Sequence, residues 1–240
     1  MKDYDEIQKI QFEKASHNYD EMHGEVLAQI YCFLQEHFFS RILSNSVLDI
    51  GNGGQSPEQI LGRHIAATAT EFVGLDKSHD MFKRKKVKHE HVIGDALDLP
   101  FKDNSFDYIL ISSLIHHLGY SSKEENRERI QKLINEALRV ARKQVIVSEP
   151  ITPRLLEIGE RLVARILGYM PTFVLSEYSL NECIAQMSIK KEESTTRSLA
   201  QLTSLFFWYN VHLEYEWLKL PAFMYPFKVN FFVLSKSGNL

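Results

Sequence analysis

The chain has 240 residues, of which 44% are hydrophobic and 25% charged, and a formal net charge of −3. This is an ordinary globular composition, enough for one large domain or two small ones. The charge argues against a nucleic-acid binder that works by bulk electrostatics, and the single basic run, Lys83 to Lys88, reads as a solvated helix end. Cys32 and Cys183 stand far apart and outside any CxxC pattern, so neither a disulfide framework nor a zinc site is expected, and a reducing cytoplasm fits. Residues Met1 to Glu6 are acidic and lack the apolar segment of a signal peptide. No run approaches the roughly 18 apolar residues of a membrane span, so stable membrane insertion is not expected.

In chain order, residues 1–40 read as helical, with Ile30, Phe33, Leu34, Phe38 and Phe39 as burial candidates. From about 46 to about 148, short apolar runs alternate with helical patterns. Val47–Ile50, Phe72–Leu75, His91–Ile93, Tyr108–Ile111 and Val145–Val147 read as strands, the third closed by Gly94 and the fifth stopped by Pro150. They are nearly all apolar rather than alternating, as strands covered on both faces should be. Ser56-Pro57-Glu58-Gln59 combines a cap, a first-turn proline and a capping box, and so predicts a helix start just after Ser56. Ser122-Lys123-Glu124-Glu125 opens another helix in the same way. Such alternation predicts a parallel sheet with right-handed crossovers and ligands at the carboxyl ends of its strands. Further on, residues 152–170 read as an amphipathic helix, Ser179–Glu182 as the start of a short helix, and Ser188–Thr195 and Asn230–Ser235 as the last two strands. Between those strands lies a long aromatic-rich stretch, from Phe206 to Phe227. Insertions of that length tend to be lids or binding elements.

The chemistry centres on Val47-Leu48-Asp49-Ile50-Gly51-Asn52-Gly53-Gly54-Gln55-Ser56. A P-loop would need GxxxxGK[ST], which is absent, and a dinucleotide fingerprint would need glycine where Ser56 stands. An acid two residues before a GxG pair is the remaining pattern. There the chain resembles the class I S-adenosylmethionine-dependent methyltransferases, whose loop runs D/E-x-G-x-G-x-G. Three later segments extend the likeness in order. Asp76-Lys77-Ser78 with Met81 resembles the family's ribose-binding acid and its continuation. Gly94-Asp95-Ala96-Leu97-Asp98-Leu99-Pro100-Phe101 resembles its adenine-edge segment, and Phe106-Asp107 through Ser112 to His116-His117-Leu118 its fourth strand. Upstream, Phe12 to Asp20 is similar to an F-x-x-x-A-x-x-Y-D helix in which Tyr19 covers the cofactor site.

The resemblance implies a Rossmann-like three-layer α/β sandwich. Its seven-stranded, mostly parallel sheet ends in an antiparallel last strand inserted beside the fifth. It also implies S-adenosylmethionine as cofactor and S-adenosylhomocysteine as product. Asp49, Gly51, Asn52 and Gly53 would hold the methionine moiety, Asp76 the ribose, Met81, Asp95 and Ala96 the adenine, with Ser112 beside the methionine part and Lys77 among the cofactor-binding residues. The chain then reads as a single methyltransferase domain over 1–240. Within it lie a helical cap at 1–40, a cofactor-binding core at 41–150, and acceptor-site insertions at 151–178 and 197–227. Those insertions read alternatively as core or as a homodimer face. The expected partner is a small, apolar or aromatic acceptor, and quinone C-methyltransferases show a similar set of motifs. A non-catalytic S-adenosylmethionine-binding or regulatory module of the same fold is the alternative, kept open by Gln55. His117 is the candidate general base, needed only for an acceptor protonated at neutral pH. His89-Glu90-His91 reads as solvated surface rather than as metal ligands.

Overall fold

The computed structural model describes residues 19–85, 89–118, 123–151, 177–198, 201, 208–213, 216–221 and 228–237. Of these, residues 19–26, 84–85, 123, 177–179, 208–213 and 216–221 enter by their backbone alone.

Helix α1, Tyr19–His37, leads through a 3-10 turn at Phe39–Ile42 into β1, Ser46–Ile50. The next elements are α2 (Pro57–Leu61), α3 (Arg63–Thr68), β2 (Glu71–Asp76), α4 (His79–Lys85), β3 (Glu90–Ile93) and β4 (Phe106–Ser112). A 3-10 turn at Ile115–Leu118 precedes α5 (Lys123–Val140), β5 (Ala141–Ile151), α6 (Glu177–Ala185) and β6 (Ile189–Ser198). Strands β7 (Trp208–Leu213), β8 (Glu216–Pro221) and β9 (Lys228–Lys236) complete the order. The main sheet has seven strands in the order β3-β2-β1-β4-β5-β9-β6. Strands β1 to β5 pair in parallel, and β9 runs antiparallel between β5 and β6. This is the three-layer arrangement expected from the sequence, with the last strand beside the fifth.

The apolar strands are explained by two cores. On one face, Leu48, Ile50, Ile109, Ile111, Val145 and Val147 pack against α5 and α6. On the other, Val47, Leu110, Ile146 and Phe231 pack against α1 and the α2–α3 pair. Residues alternate between faces along each strand, so both sets must be apolar. Of the five expected N-terminal burial candidates, Ile30, Leu34, Phe38 and Phe39 are buried and Phe33 is half-buried.

Two strand expectations change. Strand β5 does not stop at Pro150 but runs to Ile151. Its last pair with β4 is Ser112 with Ser148, so beyond that point only β9 pairs with it. Proline is tolerated there because one edge of the strand needs no ladder N–H. The aromatic insertion contains a separate antiparallel hairpin, β7–β8, in register from Trp208 with Pro221 to Leu213 with Glu216. Trp, Tyr and Val favour extended backbone. The helix expected over 152–170 lies outside the described residues. The capping box does form: Ser56 Oγ accepts from Gln59 N at 3.3 Å, and Gln59 Oε1 from Ser56 N at 2.8 Å.

The order reverses between β1 and β4, which both pair with neighbours in opposite sequence directions. Such a switch point opens a crevice beyond the strand ends, where ligands bind.

Candidate active site

The loop leaving β1 turns three times through left-handed backbone, with φ of 76° at Gly51, 59° at Gly53 and 76° at Gly54. Side chains are strained there, which is why glycines hold these positions. Gly51 N and Asn52 N both donate to Leu75 O, at 2.8 and 3.0 Å, tying the loop to the end of β2.

Asp49 lies beneath this loop and is 2% exposed. It does not line the cavity; its Oδ2 accepts from Asn52 Nδ2 at 2.8 Å, and the same Nδ2 donates to Gln55 O at 3.1 Å. The acid therefore shapes the loop through Asn52. Burial pushes its carboxyl up to about 7 and the nearby Asp76 charge adds to the rise, while the Asn52 bond pulls it down. Gln55 is itself buried, with its main chain inside this bond network and its residue on the cavity wall.

Asp76 ends β2. Its Oδ2 accepts from Gly53 N at 2.8 Å and its Oδ1 from Ser78 N at 2.8 Å. A carboxylate oxygen has more than one lone pair, so this fixed group keeps acceptor capacity towards the cavity. Asp95 Oδ1 accepts from Leu97 N at 2.9 Å, and Lys77 Nζ lies 3.7 Å from Asp95 Oδ2. Both of those side chains are well exposed, so the pair adds little to stability. Met81 is buried, with its methyl facing Gly53.

On the other wall, β4 and β5 end together. Ser112 Oγ and Ser148 Oγ share a hydrogen bond of 3.1 Å. Ser113 adopts φ of 53° while its N–H reaches Ser148 O at 2.8 Å. Glu149 is fully buried and accepts the N–H groups of Leu114, Ile115 and His116 at 3.0, 2.9 and 3.1 Å, together with His116 Nδ1. Burial pushes Glu149 up to about 7, and the backbone donors pull it back. This carboxyl fixes the turn that carries both histidines. His116 is buried beside it, and His117 lines the cavity, with ring centroids 3.8 Å apart.

One cavity of about 520 Å³ gathers these walls. Gly51, Asn52, Gly53, Asp76, Lys77, Met81, Asp95, Ala96, Ser112 and His117 all line it, whereas Asp49 supports it from below. The expectation for Tyr19 concerns a side chain outside the described residues. Leu27 and Tyr31 of the same helix do line the cavity, as do Leu114, Leu118 and Arg129. None of these five, nor Glu149, is among the site residues expected from the sequence. Leu27 and Tyr31 share one face at i, i+4 spacing, a signal equally consistent with ordinary core. Glu149 was visible only as an acid closing an apolar strand. His91 is exposed as expected, but His89 is half-buried, edge-on to Phe72 with ring centroids 5.3 Å apart. Its Nε2 is out of solvent contact, so this residue is not solvated surface.

Comparison with known proteins fits this geometry. Residues 48–148 match the family profile described as a methyltransferase domain. A demethylmenaquinone methyltransferase of Staphylococcus haemolyticus is 30% identical over 109 residues, 42% of this chain and 45% of that protein. The chain thus spans less than half the length of that curated relative. Among solved structures, a chain of the complex between the Haloferax volcanii Trm112 methyltransferase activator and a methyltransferase aligns with a TM-score of 0.62. The two are 14% identical, and the alignment covers 97% of this chain and 99% of that one. Magnesium protoporphyrin IX methyltransferase from Synechocystis PCC 6803, with bound S-adenosylhomocysteine, aligns with a TM-score of 0.51 at 14% identity, covering 89% of this chain and 83% of that one. These likenesses share the fold. The family's cofactor, S-adenosylmethionine, suits the residues present: close-approach glycines, a pinned carboxylate ending β2 and a second carboxylate at Asp95. Residues 48–148 thus match a methyltransferase domain in sequence, and the strand order around them belongs to a fold shared with solved methyltransferase structures.

Proposed function

We propose that this chain transfers a methyl group from S-adenosylmethionine to a small, apolar, ring-bearing acceptor of the quinol kind. The observation that carries the reading is a single cavity. In it the glycine loop, Asp76 and Asp95 face the same space as an apolar wall of Leu27, Tyr31, Leu114 and Leu118. The similarity to a demethylmenaquinone methyltransferase supports the acceptor class.

S-adenosylmethionine supplies a methyl on a sulfonium, already a good leaving group. The protein's task is therefore mainly to position the acceptor and exclude water. Asp76 would accept the two ribose hydroxyls as a charge-assisted acceptor. Asp95 and the Ala96 main chain would hold the adenine edge, with Met81 supplying a polarizable apolar surface for its ring. Gly51 to Gly53 let the backbone approach the methionine moiety, beside Ser112. The apolar wall admits a ring, and His117 can take the proton from an acceptor hydroxyl or ring carbon.

Two measurements test the reading. Isothermal titration should show S-adenosylmethionine binding. Incubation with reduced quinones should give a mass gain of one methyl. Binding without transfer to any quinol or phenol would favour the non-catalytic module instead. Absence of binding would refute both readings.

A further inference from the structure

Two buried polar atoms near the cofactor loop lack a hydrogen-bond partner among the described residues, and they face the same spot. One is Asn52 Oδ1, the other His89 Nε2. A Cβ added to Gly74 would lie 2.8 Å from the first and 3.0 Å from the second. The two atoms are therefore within about 6 Å of each other. That gap closes by a small side-chain rotation, or is spanned by one water with two polar partners. Gly74 keeps the space open, since any side chain there would fill it.

The chemistry of the pair is matched. Asn52 cannot turn its amide around, because Nδ2 is committed to Asp49 Oδ2 and Gln55 O. Its Oδ1 is therefore an acceptor in need of a donor. His89 packs edge-on against Phe72, with Nε2 out of solvent contact. Burial and the neighbouring His91 hold its imidazole below the usual range, against the opposing pull of Glu58, so the ring is neutral at neutral pH and carries one N–H. A neutral ring with that hydrogen on Nε2 satisfies both atoms at once. Leaving both unmet would cost more than a typical bond gains.

We infer that His89 Nε2–H and Asn52 Oδ1 form a hydrogen-bonded link, direct or through one water, that makes His89 a positioning residue for the cofactor loop. The link runs from the β3 side of the sheet through Asn52 to Asp49, and so extends the buried support of the loop to a residue outside the cavity. His89 does not line the cavity; it acts by holding Asn52, which with Gly51 and Gly53 does.

The test uses the full chain and has two arms. The first needs no ligand: long-range proton–nitrogen correlation spectra should show a His89 Nε2–H proton that exchanges slowly with water and disappears in Asn52→Ala. A rapidly exchanging proton, or one unchanged in that variant, overturns the link. The second is calorimetric. His89→Leu should weaken S-adenosylmethionine binding about tenfold, and His89→Gln, which restores a donor, should recover it to within about threefold. Binding by a folded His89→Leu within twofold of wild type overturns the positioning role, as does failure of the glutamine to rescue. This arm rests on the proposed cofactor site. If wild type bound no S-adenosylmethionine, that reading would fail while the spectra still decided the link.

Discussion

Gly51→Ala should be the most damaging single methyl in the glycine loop, and the reason is geometric. Gly51 has φ of 76°, where an L-residue costs about 1–2 kcal/mol. Its new Cβ would also lie 2.9 Å from Leu114 Cδ1 and 3.2 Å from Leu114 Cβ. Rotating the tip of Leu114 does not relieve the second contact. Moving the main chain is resisted too, because Leu114 N is held by Glu149 at 3.0 Å. Overpacking of this kind adds about 1–3 kcal/mol. The expected total is about 2–5 kcal/mol, or a fall in Tm of roughly 4–20 °C for a chain this size. Gly53→Ala is the control. Its φ of 59° carries a similar backbone penalty, but its Cβ would meet only Met81 Cε, at 3.8 Å. Urea denaturation of both variants, and of Gly51→Ala in a Leu114→Ala background that removes the Cδ contacts but keeps the Cβ one, separates the contributions; the cost of Gly51→Ala should fall in part there. Equal destabilisation of Gly51→Ala and Gly53→Ala, or no recovery in the double variant, would refute the steric argument.

Three further outcomes follow from the same site. Asp76→Ala removes the acceptor of both Gly53 N and Ser78 N, and S-adenosylmethionine affinity measured by titration should fall at least about tenfold; unchanged affinity would detach Asp76 from the cofactor. Asp49 is pushed up from 3.8 to about 7, so the folded state binds its proton more tightly than the unfolded state does. Its contribution to stability is thus complete below about pH 4 and declines as pH rises towards 7; Asp49→Asn should flatten that decline in denaturation curves collected across the interval, and an identical slope in the variant would contradict the buried acid. His117→Gln should lower kcat by about 100-fold for a hydroxyl or carbon acceptor, with S-adenosylmethionine affinity preserved; a variant with full kcat leaves His117 as wall only.

Much of the fold was legible because covered parallel strands leave a local signature. Tyr108–Ile111 is apolar at every position and Val47–Ile50 at every position but Asp49, and a strand buried on both faces permits little else. Strand ends were less legible. The sequence places a stop at Pro150, but whether a proline ends a strand depends on which edges are paired, and that is set by where β4 finishes and β9 lies. The hairpin β7–β8 was likewise hidden, since an aromatic-rich stretch describes composition and not pairing.

For the site, the sequence by itself determined the residues that must be glycine or acid for local reasons. Gly51 and Gly53 follow an apolar strand, Asp76 ends the second strand and Asp95 follows the third, each with a short-range backbone role that the motif carries. Only the tertiary structure decided how distant groups meet. It placed Asp49 beneath the loop rather than in the cavity, set Glu149 under the histidine turn from 33 to 35 residues away, and brought His89 to Asn52 across Gly74. These relations join separate strands at the switch point of the sheet, and spacing along one chain does not encode them.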